Sequence, residues 1–138
     1  INEMGSTLDL MNTFAALSGG KVPDDRKMDG YDLSKVLTQK ADSPRKEFYY
    51  WAFAELHGYR TEQYKVHIKQ RDPINYGQPT ITLDKPELYD VRADISEKYD
   101  LADNFPEVVQ TLLDKMEVHL KDVEGSTPDQ LAERLPKE

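Results

Sequence analysis

The sequence predicts an α+β domain, in which a small antiparallel sheet of about four strands packs against a long C-terminal α-helix. Residues 64–69 alternate apolar and polar side chains, which is the period of a half-buried strand. Residues 48–53 are mostly aromatic, which also favours a strand. Residues 109–123 repeat apolar side chains at helical spacing, so they predict a helix that must bury one stripe on the sheet.

The composition limits the class of protein. With 138 residues and 38% hydrophobic side chains, the chain is long enough for one domain with a modest core. Its formal net charge of −8 excludes a general nucleic-acid binder, which needs a basic surface. The sequence contains no run of about 18 apolar residues, so it predicts no membrane-spanning helix. The absence of cysteine excludes disulfides, thiolate metal sites and cysteine nucleophiles.

An N-terminal helix is predicted to begin after Ser6, its N-cap, and to end at Gly19-Gly20. Its apolar face consists of Leu10, Phe14 and Leu17. Residues 21–31 predict a loop, and residues 32–37 predict a short helical turn. The sheet and the long helix do not need the N-terminal helix to form two layers, so we expect it to be left over from a neighbouring domain.

Four strands are predicted in the middle of the chain. They cover residues 48–53, 55–60, 64–69 and 87–91, with a turn at 61–63 and a loop at 71–80. In the third strand, Tyr64, Val66 and Ile68 are predicted to form the buried face. The opposite, wet face is predicted to carry Lys65, His67 and Lys69.

A long helix is predicted to begin at Pro106, a residue favoured in the first turn, and to end at Gly125. Its apolar stripe consists of Val109, Leu112, Leu113, Met116, Leu120 and Val123. Residues 126–138 are polar and form a C-terminal tail, in which residues 127–130 predict the start of a short helix.

The charge is unevenly distributed along the chain. Residues 44–83 carry six basic and four acidic side chains, whereas residues 84–138 carry seven basic and fifteen acidic ones. An anionic ligand is therefore tolerated by the middle third and repelled by the last. His67 lies between Lys65 and Lys69 on the wet strand face, where it can donate to an anion or a sugar hydroxyl. An ordinary solvated strand face explains the same residues, and the pattern alone leaves both interpretations open.

The motifs of known cofactor and metal sites are missing from the sequence. It contains no G-x-G-x-x-G, no G-x-x-x-x-G-K-[ST] and no H-E-x-x-H. The three histidines, His57, His67 and His119, do not cluster along the chain, so no zinc site is predicted. No serine lies in a nucleophile elbow. The residues by themselves predict no self-sufficient active site.

Four segments nevertheless form a specific series. They are STLDLMNTFAALSGGKVPDDRKMDGYDLSKVL, SPRKEFYYW, GYRTEQYKVHI and PELYDVRADISEKYDLADNFPEVV. In this order they resemble the C-terminal part of sulfatases of the arylsulfatase type, in the alkaline-phosphatase superfamily. The chain departs from the family pattern at Asn12 and Ile95, where proline is usual, at Glu62, where glycine is common, and at Asp100, where asparagine is usual.

The resemblance implies a fold and a set of site residues. The C-terminal subdomain of sulfatases is a small antiparallel sheet with a packed helix, next to the mouth of the active site. The implied division is residues 1–43 as the end of the catalytic domain, 44–125 as the C-terminal subdomain and 126–138 as a tail. His67 matches a hairpin histidine that approaches the substrate pocket in some members. Lys65 and Arg60 are the further candidates for substrate binding.

The resemblance also implies what this sequence lacks. The family's nucleophile is a formylglycine made from C/S-x-P-x-R, and that motif is missing here. The family's calcium ligands lie upstream of the segment that begins at Ser6. We therefore expect no catalytic residue, metal or cofactor in this chain, and an exported parent that uses calcium and formylglycine. The expected partners are the parent's catalytic domain and a sulfate ester, either a small molecule or a polysaccharide.

Two other functions remain compatible with the sequence. The aromatic strand could serve a standalone carbohydrate-binding module. Exposed apolar surface could instead make the chain a dimerisation module, with a homodimer as its product. Measured affinity for glycans would distinguish the first of these from the second.

Overall fold

A computed structural model describes residues 1–25, 27–52, 54–71 and 78–125. The chain divides into two compact units, Ile1–Phe48 and Tyr49–Glu138. The predicted tail, residues 126–138, lies outside the described residues, as does most of the predicted loop at 71–80. None of the described helices combines the length and apolar character that crossing a membrane requires.

The first unit begins with a short 3₁₀ turn and two α-helices. The turn covers Thr7–Asp9, helix α1 covers Leu10–Ser18, and helix α2 covers Ser34–Gln39. Ser6 is the N-cap of the turn, as the sequence predicts for this end of the helix. Gly19 ends α1 with a positive φ of 73°, a conformation that glycine adopts without steric cost.

The buried residues of the first unit are mostly polar, with Val36 as the apolar exception. Asp9 and Arg45 are 1% and 5% exposed, and the Nε of Arg45 donates to Oδ2 of Asp9 at 2.9 Å. Arg45 Nη2 also donates to the backbone oxygen of Asp29 at 2.8 Å, while the Tyr31 amide donates to Asp9 at 2.8 Å. Burial raises the pKa of Asp9, but the hydrogen bonds from Arg45 and from the Tyr31 and Ser6 amides outweigh it and hold the pKa below its ordinary value.

The apolar face of α1 is exposed. Leu10, Phe14 and Leu17 are 48%, 61% and 53% exposed, and Thr13 is the buried residue of this helix. The predicted stripe is therefore present, but it is not buried in this chain.

The second unit contains most of an antiparallel sheet of four strands. Its strands are β1, Glu47–Ala52; β2, Glu55–Thr61; β3, Tyr64–Gln70; and β4, Ile81–Asp90. The strand order follows the chain, β1-β2-β3-β4. Gly58 lies opposite His67 in the β2–β3 pair, and Val66 lies opposite Leu88 in the β3–β4 pair. The predicted antiparallel pairing is confirmed.

The last strand is longer than the sequence predicts, because it begins at Ile81 rather than at Glu87. The first half of β4 is mostly exposed, so it lacks the alternation of buried and exposed side chains that identifies a strand. This half is a strand because the backbones of Ile81 and Thr82 pair with those of Gln70 and Lys69. The ladder has an irregularity between His67 and Lys69.

Helix α3, Pro106–Gly125, has the predicted bounds. The core of the second unit is one cluster that joins this helix to the sheet: Leu56, Tyr59, Val66, Leu88, Leu112 and Met116. Val66 and Leu88 are fully buried, and they lie opposite each other in the sheet. The predicted α+β class, with a small sheet covered by a long C-terminal helix, is confirmed.

Candidate functional site

A pocket of about 350 Å³ opens on the sheet of the second unit. Its lining consists of Tyr50, His57, His67, Lys69, Gln70, Arg71, Glu87, Tyr89 and Glu97. Two tyrosine rings, two imidazoles and both signs of charge therefore face one space. Such a mixture of aromatic rings and polar groups is typical of small-molecule sites, and the volume lies within their usual range of roughly 300–1,000 Å³.

Glu97, in the segment after β4, hydrogen-bonds to two side chains of the third strand. Its Oε1 accepts from Lys65 Nζ at 2.7 Å, and its Oε2 lies 2.8 Å from His67 Nε2. Burial raises the pKa of Glu97, but the hydrogen bonds from Lys65 and His67 outweigh it and hold the pKa below its ordinary value. An ionised carboxylate only accepts hydrogen bonds, so the Nε2 of His67 carries the proton.

The expected wet face of β3 is largely covered. The side chains of Lys65, His67 and Lys69 are 13%, 19% and 24% exposed. Glu97 covers Lys65 and His67 by hydrogen-bonding to both side chains. Lys69 Nζ lies 3.2 Å from Glu55 Oε1. The prediction of a solvated face was wrong here, because alternation in one strand does not reveal a loop that folds over it.

The three predicted substrate-binding residues have different positions. His67 lines the pocket, whereas Lys65 and Arg60 are not part of its described lining. Lys65 is held by Glu97, and its Nζ lies 4.5 Å from the centre of the Tyr50 ring. Arg60 lies opposite Lys65 in the sheet and donates from Nε to the Thr61 backbone oxygen at 3.2 Å. Substrate binding by any of the three stays a prediction.

The pocket also contains residues that the sequence did not single out as a site. The Tyr89 hydroxyl donates to Glu87 Oε2 at 2.9 Å, and Gln70 Nε2 donates to the same oxygen at 2.6 Å. Burial first, and then the neighbouring Glu87 carboxylate, raise the pKa of Tyr89, so its hydroxyl stays protonated. Tyr89 is 9% exposed, and only the fold reveals that it lines the pocket.

His57 is the most buried histidine of the pocket. It is 8% exposed, and its Nε2 has no hydrogen-bond partner among the described residues. The nearest carboxylate oxygen, Oε2 of Glu55, lies 3.9 Å away, which is too far for a hydrogen bond. Burial lowers the pKa of His57, and the charges of Lys69 and Arg71 lower it further, although Glu55 opposes them. His57 is therefore neutral at pH 7.

Gly58 explains how the two histidine-bearing strands come so close. A Cβ atom at this position would lie 2.5 Å from the Val66 backbone oxygen, which is too close for two non-bonded atoms. The same Cβ position is 3.5 Å from Nδ1 of His67. Any side chain at Gly58 would therefore displace β3 beside His67.

Metal binding finds no basis in the described residues. Across residues 1–25, 27–52, 54–71 and 78–125, no group of three His, Asp or Glu side chains is placed to hold a metal ion. The resemblance implies calcium and formylglycine for the parent protein rather than for this chain, whose sequence lacks the C/S-x-P-x-R motif.

Comparison with known proteins identifies the family. The family described as the C-terminal region of aryl-sulfatase matches residues 43–137. Human arylsulfatase A is 34% identical to the chain over 130 residues, which cover 80% of this chain and 25% of arylsulfatase A. The chain thus spans about a quarter of the length of this relative.

Solved structures with the same fold also match the chain. One, from work on glycosaminoglycan metabolism by Bacteroides thetaiotaomicron, is 27% identical, with a TM-score of 0.61 over 80% of this chain and 24% of its own. Another, BT4656 in complex with its substrate D-glucosamine-2-N,6-O-disulfate, is 25% identical, with a TM-score of 0.55 over 88% of this chain and 25% of its own. The chain belongs to the family of C-terminal regions of aryl-sulfatases.

Proposed function

We propose that this chain forms the C-terminal subdomain of a sulfatase and that its pocket is one wall of the substrate cleft. The observation that carries the proposal is the position of His67, the residue that matches the family's hairpin histidine, in the lining of the pocket. In this proposal residues 44–125 are the subdomain, and residues 1–43 belong with the catalytic domain. The exposed apolar face of α1 supports that assignment, since such a face is usually covered by a partner.

The proposed role of His67 is to position the pocket as well as to contact substrate. With Lys65, it holds the Glu97 carboxylate against β3, so that the segment after β4 closes one side of the pocket. The other ring nitrogen of His67, Nδ1, is the atom proposed to contact a substrate hydroxyl. Sulfate-ester hydrolysis itself requires the nucleophile and metal of the parent's catalytic domain, which this chain does not supply.

The proposed substrate class is a sulfated sugar. BT4656, whose fold this chain shares, was solved with D-glucosamine-2-N,6-O-disulfate as its substrate. The tyrosine rings and hydrogen-bonding groups of the pocket suit a sugar ring, which presents both apolar faces and hydroxyls.

The test is steady-state kinetics of His67→Ala in the protein as its gene encodes it. We expect kcat/KM for a sulfated monosaccharide to fall roughly tenfold, mainly through KM, because binding rather than chemistry is removed. His67→Gln keeps a donor near Glu97 and should recover part of the loss. His119→Ala, a histidine outside the pocket lining, is the matched control. A change in kcat/KM below about twofold for His67→Ala would remove the assigned role.

A simpler observation tests the parent. The coding DNA upstream of Ile1 should continue in frame and contain C/S-x-P-x-R. A start codon directly before Ile1 would instead favour a standalone glycan-binding module. Self-association of the chain through its exposed apolar residues stays a prediction, which sedimentation measures.

A further inference from the structure

The position of Glu97 is set by its own segment of the chain. Its φ is 53°, in the left-handed region that residues other than glycine rarely adopt. The Glu97 amide donates to the backbone oxygen of Asp94 at 3.2 Å. Asp94 Oδ2 accepts from the amides of Lys98 and Tyr99 at 2.7 Å and 2.9 Å. These hydrogen bonds hold the backbone on both sides of Glu97, so the direction of its side chain does not depend on His67 alone.

The Glu97 carboxylate uses one oxygen for each of two side chains of β3. Oε1 accepts from Lys65 Nζ at 2.7 Å, and Oε2 lies 2.8 Å from His67 Nε2. Lys65 Nζ also lies 4.5 Å from the centre of the Tyr50 ring, so this lysine has two contacts that fix it. Because an ionised carboxylate only accepts hydrogen bonds, Nε2 of His67 carries the proton that they share.

The other ring nitrogen of His67, Nδ1, is accessible. It makes no hydrogen bond within the described part of the chain, and it is not one of the buried polar atoms that lack a partner there, so solvent reaches it. Gly58 lies beside Nδ1 and has no side chain to cover it, since even a Cβ at this position would be 3.5 Å away. The ring itself lines the pocket. Nδ1 is therefore the polar atom of this ring that is left for a ligand.

We infer that Glu97 is a positioning residue of the pocket, which fixes the His67 ring with a proton on Nε2 and thereby presents Nδ1 to the ligand as a hydrogen-bond acceptor. In a neutral imidazole one nitrogen donates and the other accepts, and the hydrogen bond at one nitrogen decides the role of the other. The inference rests on the proposed function for the ligand, a sulfated sugar, and it adds what determines how His67 recognises that sugar.

This arrangement discriminates between groups of the sugar. An acceptor nitrogen binds a hydroxyl, which has a proton to donate. It does not bind a sulfate oxygen, which has none. Glu97 therefore determines, through His67, that a hydroxyl of the sugar and not its sulfate group lies against Nδ1.

Glu97→Gln is the decisive substitution, because it keeps the shape of the side chain but leaves one oxygen and one NH₂ group. The ammonium of Lys65 only donates, so it takes the oxygen, and the NH₂ group then faces His67 Nε2. Since an NH₂ group only donates, Nε2 has to accept, and the ring carries its proton on Nδ1 instead. The substitution should therefore exchange the roles of the two ring nitrogens.

Long-range ¹H–¹⁵N NMR of the imidazoles measures this exchange, in the protein as its gene encodes it, at about pH 8.5, where an ordinary imidazole is neutral. The His67 signals are those that His67→Gln removes. We expect the proton on Nε2 in the unmodified protein and on Nδ1 in Glu97→Gln. Adding Lys65→Met frees the amide oxygen for Nε2, so the double variant should return the proton to Nε2. Glu117→Gln, the same exchange beside Lys121 on α3, should change nothing.

Steady-state kinetics with a sulfated monosaccharide measures the consequence for recognition. In Glu97→Gln, KM should rise about threefold to tenfold, the effect of losing one hydrogen bond, while kcat changes less than about twofold. The double variant Lys65→Met/Glu97→Gln should recover KM to within about twofold of the unmodified protein. A purely structural role of Glu97 predicts no such recovery, because the double variant lacks both members of the ion pair.

Three results would overturn the inference: a His67 proton on Nδ1 in the unmodified protein, a proton that stays on Nε2 in Glu97→Gln, or a double variant that does not recover KM. The first of these needs no variant to fold. The position of the proton does not depend on activity, so Glu97 keeps its effect on the ring even where His67→Ala leaves kcat/KM unchanged and the proposed function fails. Amide NMR spectra equal to that of the unmodified protein show that each variant is folded.

Discussion

The two units of the chain differ in what they bury: the first buries mostly polar side chains, and the second buries mostly apolar ones. In Ile1–Phe48, the most buried groups include Asp9, Thr13 and Arg45, whereas the leucines and the phenylalanine of α1 are exposed. In the second unit the core is apolar and includes Val66 and Leu88. A polar interior depends on directional hydrogen bonds, and an apolar interior depends on packing. The two units should therefore respond to different substitutions.

The largest effect is expected for Asp9→Ala in the first unit. The substitution leaves the Arg45 guanidinium buried without its carboxylate, which typically costs about 3–5 kcal/mol. Hydrogen exchange measured by mass spectrometry should show loss of protection in residues 1–48. Adding Arg45→Met removes the unpaired charge, so the double variant should recover part of the loss. Equal losses in the single and double variants would contradict this account.

The next effect is expected for Leu88→Ala in the second unit. Leu88 is fully buried, and truncating such a leucine typically costs about 2–5 kcal/mol through lost contacts and the cavity that remains. Denaturant unfolding followed by Trp51 fluorescence measures the loss. Leu10→Ala is the matched control, since Leu10 is 48% exposed and its truncation should change stability by less than about 0.5 kcal/mol. Similar losses at both leucines would mean that the contrast in burial does not control stability.

A smaller effect is expected from pH. The pKa of His57 is lower in the folded protein than the value of about 6.5 in an unfolded chain. As the pH falls below about 6.5, the unfolded chain binds this proton first, so the stability of the second unit should decrease. The denaturant midpoints at pH 7.5 and 5.5 should differ less in His57→Gln than in the unmodified protein. A His57→Gln variant that retains the full difference would refute the assignment.

The smallest effect is expected on the surface of α3. Lys121 Nζ lies 2.6 Å from Glu117 Oε1 one turn away, and both side chains are largely exposed. Exposed ion pairs of this kind contribute little to stability because water and salt screen them. Lys121→Ala should therefore leave the Tm within experimental error. A clear decrease would show that this helix face has a partner.

The sequence predicted the fold better than the site, for a physical reason. Periodicity reports burial, so the apolar alternation around Val66 and the stripe of α3 were enough to identify strand and helix. The first half of β4 was not predicted, because backbone pairing forms it and residues such as Thr82 are exposed, which leaves no pattern of burial. Resemblance to the family correctly identified the C-terminal region of a sulfatase, and it pointed to His67.

The rest of the pocket could not be predicted from local patterns. Glu97 lies thirty residues from His67, and it reaches β3 only because the chain turns back after β4, with Glu97 itself at a φ of 53°. His57 carries no local signal that its Nε2 is unpaired, since that depends on what surrounds it in the fold. Long-range polar contacts of this kind need the three-dimensional structure.

The backbone of Leu88 has a consequence for aggregation. Its amide donates to Asp100 Oδ1 at 2.9 Å, and its carbonyl accepts from the Leu101 amide at 2.8 Å. These are the outward-facing groups of an edge strand, to which a strand from another molecule would otherwise pair. Because Asp100 and Leu101 already occupy these groups, a strand from another molecule cannot pair with them. Asp100→Ala should expose this amide and increase thioflavin-positive aggregates on prolonged incubation.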